Sequence, residues 1–366
     1  MSDNSKIASR LEAWFEQHKR RLPWRETTDP YRIWISEIVL QQTRVAQGLD
    51  YYRRFVARFP DVRSLAAADE DEVLKYWEGL GYYSRARNLH AAARQIVSDF
   101  DGRFPDTYAG IRSLKGVGDY TAAAIASFAF GLPHAVVDGN VYRVLSRLFA
   151  VDTPIDTAEG KKLFTALAEE LLDRRAPALY NQALMELGAL QCLPRAPLCG
   201  GCPLAFRCEA AASGTAEAFP VKQGKSVVRP RYFNYLVIHA GEDTFIHRRS
   251  ERDIWRNLYE FVLIESDGDL SFEALQQTEA YRALMAGAGQ VTHLYPPFKR
   301  RHVLSHRIIH ATFHTLTTEH VPPALSAYLR VPRKELPHYA FARLTGFYFD
   351  ALRKGLFSEP QGLFAR

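Results

Sequence analysis

The chain of 366 residues contains only four cysteines, and all of them lie between positions 192 and 208. So few cysteines in one short segment exclude a fold held together by disulfide bonds along its length. No apolar run approaches the roughly 20 residues that a membrane helix requires, and the N-terminal residues lack the apolar core of a signal peptide. These absences predict a globular protein of the cytoplasm that has no membrane partner.

The composition sets broad limits on size and on partners. A chain of this length predicts two domains, and a hydrophobic content of 47% is ordinary for globular proteins. The formal net charge of +6 permits a nucleic-acid partner without requiring one. There is no internal repeat and no low-complexity segment. Function must therefore be sought in local motifs.

Two glycines, Gly116 and Gly118, bracket Val117 directly before an alanine-rich stretch that continues to Phe130. Glycines at such positions allow a tight turn that exposes backbone N–H groups at the start of a helix. Exposed N–H groups bind anions, and DNA phosphate is a natural ligand for them. A glycine turn before a helix is also common as a purely structural feature, so the turn alone does not indicate a function.

A single carboxylate, Asp138, follows this stretch after an apolar run and precedes a second helical pattern. This position predicts that Asp138 caps the second helix, and the helix start should lower its pKa and keep it ionised. A capping aspartate is more often structural than catalytic. The order of glycine turn, helix, aspartate and helix favours a functional site.

A second carboxylate, Glu37, lies within a helix that Asp29 and Pro30 begin. Its neighbours Trp34, Ile35, Ile38 and Val39 are apolar. A glutamate in such a stretch either faces water or carries a raised pKa. The polar triplet at 41–43 follows within two turns and indicates a polar site.

The cysteine segment has the spacing Cys-x6-Cys-x2-Cys-x5-Cys. Four thiols within 17 residues of a cytoplasmic protein indicate a metal site. A zinc ribbon normally uses two Cys-x2-Cys knuckles, and only one is present here. The uneven loop therefore favours a [4Fe-4S] cluster over zinc.

The composition changes after residue 211, where small, proline and basic residues predict a linker. After Tyr232 the apolar pattern has a period of two, which predicts strands, including a hairpin that turns at Gly241, and a closing helix spans about 340–352. In the N-terminal half, residues 48–100 predict three helices with the Gly79–Tyr83 segment between the second and the third.

The segment Trp34–Thr43, the glycine turn with Asp138, and the cysteine loop together resemble the adenine DNA glycosylases of MutY type, in the helix-hairpin-helix iron–sulfur DNA glycosylase superfamily. The resemblance covers nearly all of residues 6–210 and is looser over 231–362. It implies a two-lobed all-helical glycosylase domain over 1–212 with an iron–sulfur loop at 192–208, a linker over 213–230, and a Nudix-like α+β domain over 231–366. The acidic box of Nudix hydrolases is absent, so pyrophosphatase chemistry is not expected.

The resemblance also implies an activity and its catalytic residues. A member of this family removes adenine paired with 8-oxoguanine or guanine in double-stranded DNA, and we expect it to act as a monomer. Glu37 would protonate the leaving adenine and later activate water, while Asp138 would stabilise the sugar cation with support from Tyr120 and Asn140. The four ligands of the [4Fe-4S] cluster would be Cys192, Cys199, Cys202 and Cys208.

Two further sets of residues are carried over from the family motifs. The residues implied to line the adenine pocket are Trp24, Arg25, Leu40, Val45 and Gln182. The residues implied to contact DNA or the opposing lesion are Gln42, Thr43, Leu80, Tyr82, Gly116, Val117, Gly118, Leu304, Ser305 and His306. Two positions depart from the family pattern, because Lys115 replaces a proline in the hairpin and Leu304 replaces a phenylalanine in a Phe-Ser-His loop.

Tyr120 separates this prediction from a closely related activity. Bifunctional glycosylase/lyases for oxidised pyrimidines, of endonuclease III type, carry at this point a lysine whose amine forms a Schiff base. A phenol cannot do so, which predicts a monofunctional enzyme. The sequence is also compatible with a mismatch glycosylase for thymine or uracil, and with a non-enzymatic iron–sulfur DNA-binding protein.

Overall fold

The computed structural model describes residues 3–224 and 228–356. The chain divides into two compact units, one formed by Met1–Ala67 with Asn88–Lys225, and the other by Ala68–Arg87 with Ser226–Arg366. Within the described ranges no helix is both long and apolar enough to cross a membrane. The predicted fold class, a helical part followed by an α+β part, is confirmed.

Helices make up the N-terminal part of the chain. Their bounds are α1 Asp3–His18, α2 Pro30–Leu40, α3 Val45–Arg58, α4 Val62–Ala67, α5 Glu70–Tyr76, α6 Ser84–Asp99, α7 Tyr108–Arg112, α8 Asp119–Phe130, α9 Gly139–Leu148, α10 Ala158–Leu171, α11 Pro177–Leu190 and α12 Glu209–Ala212. The prediction of three helices over 48–100 is wrong, because α3 to α6 are four. A short break with Asp69 in extended conformation separates α4 from α5, and helical spacing alone does not reveal it.

The core of the first unit joins α1, α9, α10 and α11 through side chains such as Leu11, Leu145, Phe164 and Leu184. Helix α2 packs against α8. Residues Ile33 to Val39 of α2 are all buried, so this helix is enclosed on every side. Asp29 caps it by accepting a hydrogen bond from the N–H of Tyr31, as the sequence predicts. Because α2 is enclosed, its Glu37 lies inside the first unit.

The second unit contains a seven-stranded sheet in the order β4-β6-β1-β3-β2-β7, with β5 also paired to β6. Its elements are β1 Arg229–His239, β2 Asp243–Arg248, β3 Tyr259–Ser266, α13 Phe272–Gln276, α14 Glu279–Leu284, β4 Val291–His293, β5 Phe298–Val303, β6 Arg307–Thr318, β7 Leu329–Pro332 and α15 Arg343–Arg353. The strands β1 and β6 pair in parallel, whereas the other pairs are antiparallel. The predicted hairpin of β1 and β2 is wrong. The turn exists as an isolated bridge between Ala240 and Asp243, but β3 lies between the two strands.

The segment Ala68–Arg87 is tied to this sheet by polar contacts. Arg248 pairs with Glu70 at 3.1 Å and with Asp71 at 2.9 Å. The hydroxyl of Tyr83 donates to the carbonyl of Phe341 at 3.2 Å. The loop that follows α5 is therefore held against the sheet unit.

Candidate active site

A cavity of about 390 Å³ in the first unit contains both predicted catalytic carboxylates in its wall. Glu37 enters it from α2, and Asp138 enters from the start of α9. The structure also brings to this wall every residue predicted for the adenine pocket, and two of those predicted for the lesion. The predicted residues that line the cavity are Trp24, Arg25, Glu37, Leu40, Gln42, Thr43, Val45, Tyr120, Asp138, Asn140 and Gln182.

Glu37 is buried, with 7% of its surface exposed. The hydroxyl of Tyr120 donates a hydrogen bond of 2.6 Å to its Oε2 atom. Burial raises the pKa of Glu37 to about 7, and the nearby Asp138 also raises it, while the Tyr120 hydrogen bond and the charge of Arg25 lower it. Of the two alternatives that the sequence leaves open for Glu37, the structure therefore supports the buried glutamate with a raised pKa, and the main cause is desolvation.

Tyr120 is positioned by the glycine turn. Gly116 has a φ of +76°, and a Cβ atom there would lie 2.5 Å from the Cβ of Asn88. Glycine is therefore required at 116. Gly118 caps α8 with an ordinary φ of −93° and open space around it, so glycine is not required there. The turn starts α8 at Asp119, which places Tyr120 in the first helical turn opposite Glu37.

Asp138 caps α9, as predicted. Its Oδ1 atom accepts hydrogen bonds from the backbone N–H groups of Asn140 at 2.9 Å and Val141 at 2.8 Å, and its Oδ2 atom accepts from the Asn140 side chain at 2.8 Å. The predicted lowering of its pKa is wrong. Burial raises the pKa of Asp138, and these hydrogen bonds together with Arg143 only oppose that rise. The helix start favours the anion, but removal from water outweighs it here.

A continuous chain of hydrogen bonds links this aspartate to the cysteine segment. Arg143 donates from Nη2 to the Asn140 Oδ1 atom at 2.8 Å, and from Nε to the carbonyl of Cys192 at 2.7 Å. Asn140 in turn holds Asp138. Because each side chain is fixed by the next, the orientation of the aspartate depends on that of the cysteine loop.

The four cysteines are unpaired and line one small cavity of about 30 Å³ together with Arg147. The buried Arg147 donates from Nη1 to the Cys192 Sγ atom at 3.3 Å. In the described part of the chain no group of three or more acidic, histidine or cysteine side chains is placed so that it could hold a metal ion. Four thiols around one cavity, with an arginine that donates to sulfur, are nevertheless the type of side chains that ligate an iron–sulfur cluster.

Sequence reasoning missed two charged residues of the active-site cavity, Arg20 and Glu186. Glu186 lies on α11 four residues after Gln182, so both face the cavity from the same side of the helix. The i, i+4 spacing was the available signal. Without the tertiary contacts, a glutamate in a mostly apolar helix cannot be distinguished from a surface residue.

A second cavity, of about 550 Å³, lies in the sheet unit. It brings together five of the ten residues predicted to contact DNA or the opposing lesion, namely Leu80, Tyr82, Leu304, Ser305 and His306. The other five, Gln42, Thr43, Gly116, Val117 and Gly118, lie in the first unit. Among the latter, Val117 is buried. Its backbone N–H donates to the carbonyl of Leu114 at 3.1 Å, and its own carbonyl accepts from Arg112 at 2.9 Å, so the predicted contact of Val117 with DNA finds no support in the structure.

Two aromatic residues of this second cavity have left-handed backbones. Tyr82 has a φ of +48° and Trp255 a φ of +58°, which is uncommon for large side chains and clusters at functional sites. Tyr82 is also 51% exposed. Arg87, Arg252 and Arg307 line the same cavity. The cavity is an aromatic and cationic surface that suits an anionic, planar ligand.

Comparisons with known proteins agree with this architecture. Residues 35–171 match the family described as HhH-GPD superfamily base excision DNA repair protein, and residues 234–350 match the family described as NUDIX domain. The adenine DNA glycosylase of Buchnera aphidicola subsp. Baizongia pistaciae (strain Bp) is 36% identical over 259 residues, which cover 70% of this chain and 73% of that protein. This chain belongs to the adenine DNA glycosylase family.

Other members of the adenine DNA glycosylase family are longer. The proteins of Mus musculus and Homo sapiens are each 44% identical to the chain over 220 and 210 residues, which cover 57% and 55% of it. Those residues cover 42% and 38% of the two relatives, so the chain matches less than half of their length.

Solved structures show the same helical fold. The structure of a thermostable thymine-DNA glycosylase is 31% identical with a TM-score of 0.54, over 57% of this chain and 97% of that one. A non-covalent complex of endonuclease III with DNA has a TM-score of 0.50 at 21% identity, over 58% of this chain and 99% of that one, and shows the fold alone. The helical fold of this adenine DNA glycosylase family member is therefore shared with a thymine-DNA glycosylase and with endonuclease III.

The raised pKa of Glu37 predicts a pH-dependent cost to stability. Its folded-state pKa of about 7 lies above the ordinary value of 4.5, so the free energy of unfolding falls as pH rises from about 4.5 through 7. Glu37→Gln removes this dependence. We expect the variant to gain on the order of 3 kcal/mol relative to the parent between pH 4.5 and pH 8. Urea unfolding of both proteins across this range measures the gain, and a constant difference in unfolding free energy would contradict it.

Proposed function

We propose that this chain hydrolyses the N-glycosidic bond of adenine paired with 8-oxoguanine or guanine in double-stranded DNA, and that it acts as a monomer. The observation that carries the proposal is the shared cavity of two carboxylates with different surroundings. Glu37 is enclosed by apolar side chains and one phenol, whereas Asp138 accepts three hydrogen bonds. Enzymes that cleave glycosidic bonds usually use two carboxyl groups in different surroundings, one as the acid and the other as the anion that stabilises the sugar cation.

Base release begins when the adenine nucleoside leaves the helical stack and enters the cavity. With a pKa of about 7, Glu37 retains its proton in a large fraction of molecules at neutral pH. It donates this proton to adenine N7, and the bond between C1′ and N9 breaks with its electron pair moving to the base. The sugar becomes an oxocarbenium ion, and the anionic Asp138 stabilises it.

Hydrolysis is completed by water. Glu37, now a carboxylate, takes a proton from a water molecule whose oxygen forms the new bond to C1′. Adenine leaves as the neutral base, the abasic sugar carries the hydroxyl, and Glu37 regains its proton. Tyr120 supports the ionised state of Glu37, since its hydroxyl can donate to the carboxylate that remains when adenine is protonated.

We propose that the cavity recognises adenine by shape and by a few polar groups. Trp24, Leu40 and Val45 provide apolar walls, and Trp24 is held edge-on by the ring of Tyr52 at 5.1 Å. Gln182 presents an amide that can hydrogen-bond to the edge of the base. Arg25 contributes a guanidinium that is already held by a carboxylate of the protein.

We propose that residues 1–212 form a catalytic domain, 213–230 a linker and 231–366 a lesion-recognition domain. The segment Ala68–Arg87 lies in the sheet unit, and we propose that this unit recognises the base opposite adenine. Its cavity offers Tyr82 for stacking, and Ser305 and His306 for hydrogen bonds. The carboxylate of Asp253 in this cavity is already paired with Arg231 and Arg249. The arginines of the cavity therefore leave a positive surface that attracts DNA phosphate. Leu304 supplies apolar contact without aromatic stacking.

We propose that Cys192, Cys199, Cys202 and Cys208 hold a [4Fe-4S] cluster. The cluster would cross-link the loop after α11. The cysteine loop would then hold Arg143, and through Arg143 and Asn140 it would hold Asp138. The role of these residues in base release is one of orientation.

The test of the proposed function is a base-release assay on defined duplexes. Adenine is placed opposite 8-oxoguanine, guanine or thymine, and a fourth duplex carries thymine opposite guanine, because a thymine-DNA glycosylase shares the fold. Alkali-labile sites should appear at adenine opposite 8-oxoguanine and guanine. Release of thymine instead, or of no base, would overturn the proposal.

The phenol at position 120 predicts that no covalent adduct forms through a Schiff base. We expect borohydride to trap almost no protein on a duplex that is being cleaved, because Tyr120 has no amine. Tyr120→Lys places an amine at the same site and is the matched comparison. Strong trapping by the parent protein would show that it is a glycosylase/lyase.

The lesion-side cavity predicts a loss of preference when its hydrogen bonds are removed. Ser305→Ala combined with His306→Ala should lower the ratio of rates on 8-oxoguanine and guanine duplexes by about 2- to 10-fold, as expected for lost hydrogen bonds. Single-turnover assays on the two duplexes measure the ratio. The control Ser326→Ala changes an exposed serine elsewhere in the same unit. An unchanged ratio in the double variant would remove these residues from lesion recognition.

A further inference from the structure

A buried carboxylate in the wall of the active-site cavity takes no part in the proposed proton transfers. The side chain of Glu186 is 1% exposed and accepts hydrogen bonds from two arginines. Arg20 donates from Nε at 2.9 Å and from Nη2 at 2.6 Å, and Arg25 donates from Nη1 at 2.9 Å and Nη2 at 2.8 Å. The backbone N–H of Arg20 adds a fifth bond, at 3.0 Å.

This cluster ties α11 to the loop between α1 and α2. Each guanidinium donates two parallel hydrogen bonds to the carboxylate. This bidentate geometry fixes both the position and the plane of the guanidinium group. Burial raises the pKa of Glu186, but the hydrogen bonds from Arg20 and Arg25 outweigh burial and lower it to about 2. Glu186 is therefore an anion at neutral pH, and the three side chains carry a combined charge of one positive unit.

The cluster shares the cavity with Glu37. The charged or titratable groups that face Glu37 are Tyr120 from α8, Asp138 from the start of α9, and Arg25 from the loop before α2. Arg20 joins the same wall from that loop, and Glu186 from α11. Of these groups Arg25 favours the carboxylate form of Glu37 by charge, and Glu186 neutralises part of the charge that Arg25 and Arg20 carry.

We propose that Glu186 is a positioning residue for base release, which fixes Arg20 and Arg25 in the cavity wall and limits the positive charge that they present to Glu37. The inference rests on the proposed function, because it assumes that Glu37 must carry a proton to act. Without Glu186, two uncompensated guanidinium groups would face the acid. They would favour its ionised form and leave fewer molecules able to protonate the base at neutral pH.

A series of variants separates charge from architecture. The net charge of the cluster is +1 in the parent, +2 in Glu186→Gln, 0 in Arg20→Gln, and +1 again in the double variant Glu186→Gln with Arg20→Gln. The titration midpoint of Glu37 should therefore move to lower pH by about half a unit to one unit in Glu186→Gln, and to higher pH in Arg20→Gln. It should return near the parent value in the double variant.

The midpoint is read directly from the carbon-13 shift of the Glu37 carboxyl in glutamate-labelled, DNA-free protein, with Glu37→Gln to assign the signal. The same series is then assayed for the alkaline limb of the second-order rate constant for adenine release. Arg174→Gln, an exposed arginine of the same unit that pairs with Glu169, is the control and should leave the midpoint unmoved. If Glu186→Gln fails to fold, Arg20→Gln still carries the test, because Glu186 remains paired with Arg25.

The outcomes distinguish this inference from the proposed function. Midpoints ordered Arg20→Gln above parent and double variant, and these above Glu186→Gln, support it. Unmoved midpoints overturn it even if the parent protein releases adenine, and would assign to Glu186 a purely structural role. A parent protein that shows the ordered midpoints but releases no adenine would refute the proposed function while leaving the coupling between Glu186 and Glu37 intact.

Discussion

Glu37→Gln is expected to lower the rate of adenine release by about 10²- to 10⁴-fold, the usual contribution of general acid–base catalysis. The glutamine has nearly the same shape and can still accept the hydrogen bond of Tyr120, but it has no proton to give at N7. DNA binding should be retained, because Glu37 is buried and offers no charge to phosphate. Single-turnover rates on the duplex with adenine opposite 8-oxoguanine, together with a binding titration, measure the two effects.

The control for this variant is Glu159→Gln, which changes an exposed glutamate in the first turn of α10. It should leave both rate and binding at parent values. If Glu37→Gln released adenine as fast as the parent protein, the assigned acid would be wrong. If neither protein released any base while both bound DNA, a non-enzymatic iron–sulfur DNA-binding protein would be favoured.

Asp138→Asn is expected to lower the rate of adenine release by about 10²- to 10³-fold, the magnitude typical of a lost electrostatic stabiliser. Asparagine caps a helix about as well as aspartate, so the hydrogen bonds to the N–H groups of Asn140 and Val141 can persist. The free energy of unfolding should therefore change little, whereas the negative charge that stabilises the sugar cation is removed. The two effects are measured by single-turnover kinetics and by urea unfolding.

Asp29→Asn is the matched control, since Asp29 caps α2 in the same manner but does not line the cavity. It should retain the parent rate. If Asp29→Asn loses as much activity as Asp138→Asn, or if the loss in Asp138→Asn follows from unfolding, Asp138 acts only as a helix cap.

The sequence predicts those features of the candidate site that depend on residues close together in the chain. The cap at Asp138 and the turn at Gly116 depend on neighbours within a few residues, so each is visible in the chain. Glu37 is predicted for the same reason, because its apolar surroundings lie on its own helix. The structure places Glu37 and Asp138 in the wall of one cavity, and their catalytic roles stay a prediction.

The sequence does not predict those features of the structure that depend on residues far apart in the chain. The pKa of Asp138 rises because helices packed around it remove water, and a helix start alone does not reveal this. Glu186 is bound by Arg20, which is 166 positions away. The strand β3 enters the sheet between β1 and β2 although the turn at Gly241 suggests a hairpin. Each of these features is set by tertiary packing rather than by local spacing.

The most direct test is the pH dependence of adenine release under conditions that report the free protein. The second-order rate constant on the duplex with adenine opposite 8-oxoguanine should fall as pH rises through about 7, because Glu37 loses the proton that it must donate. The residual rate constant of Glu37→Gln should not fall over this pH range. A parent rate that stays constant from about pH 6 to about pH 9 would contradict the account.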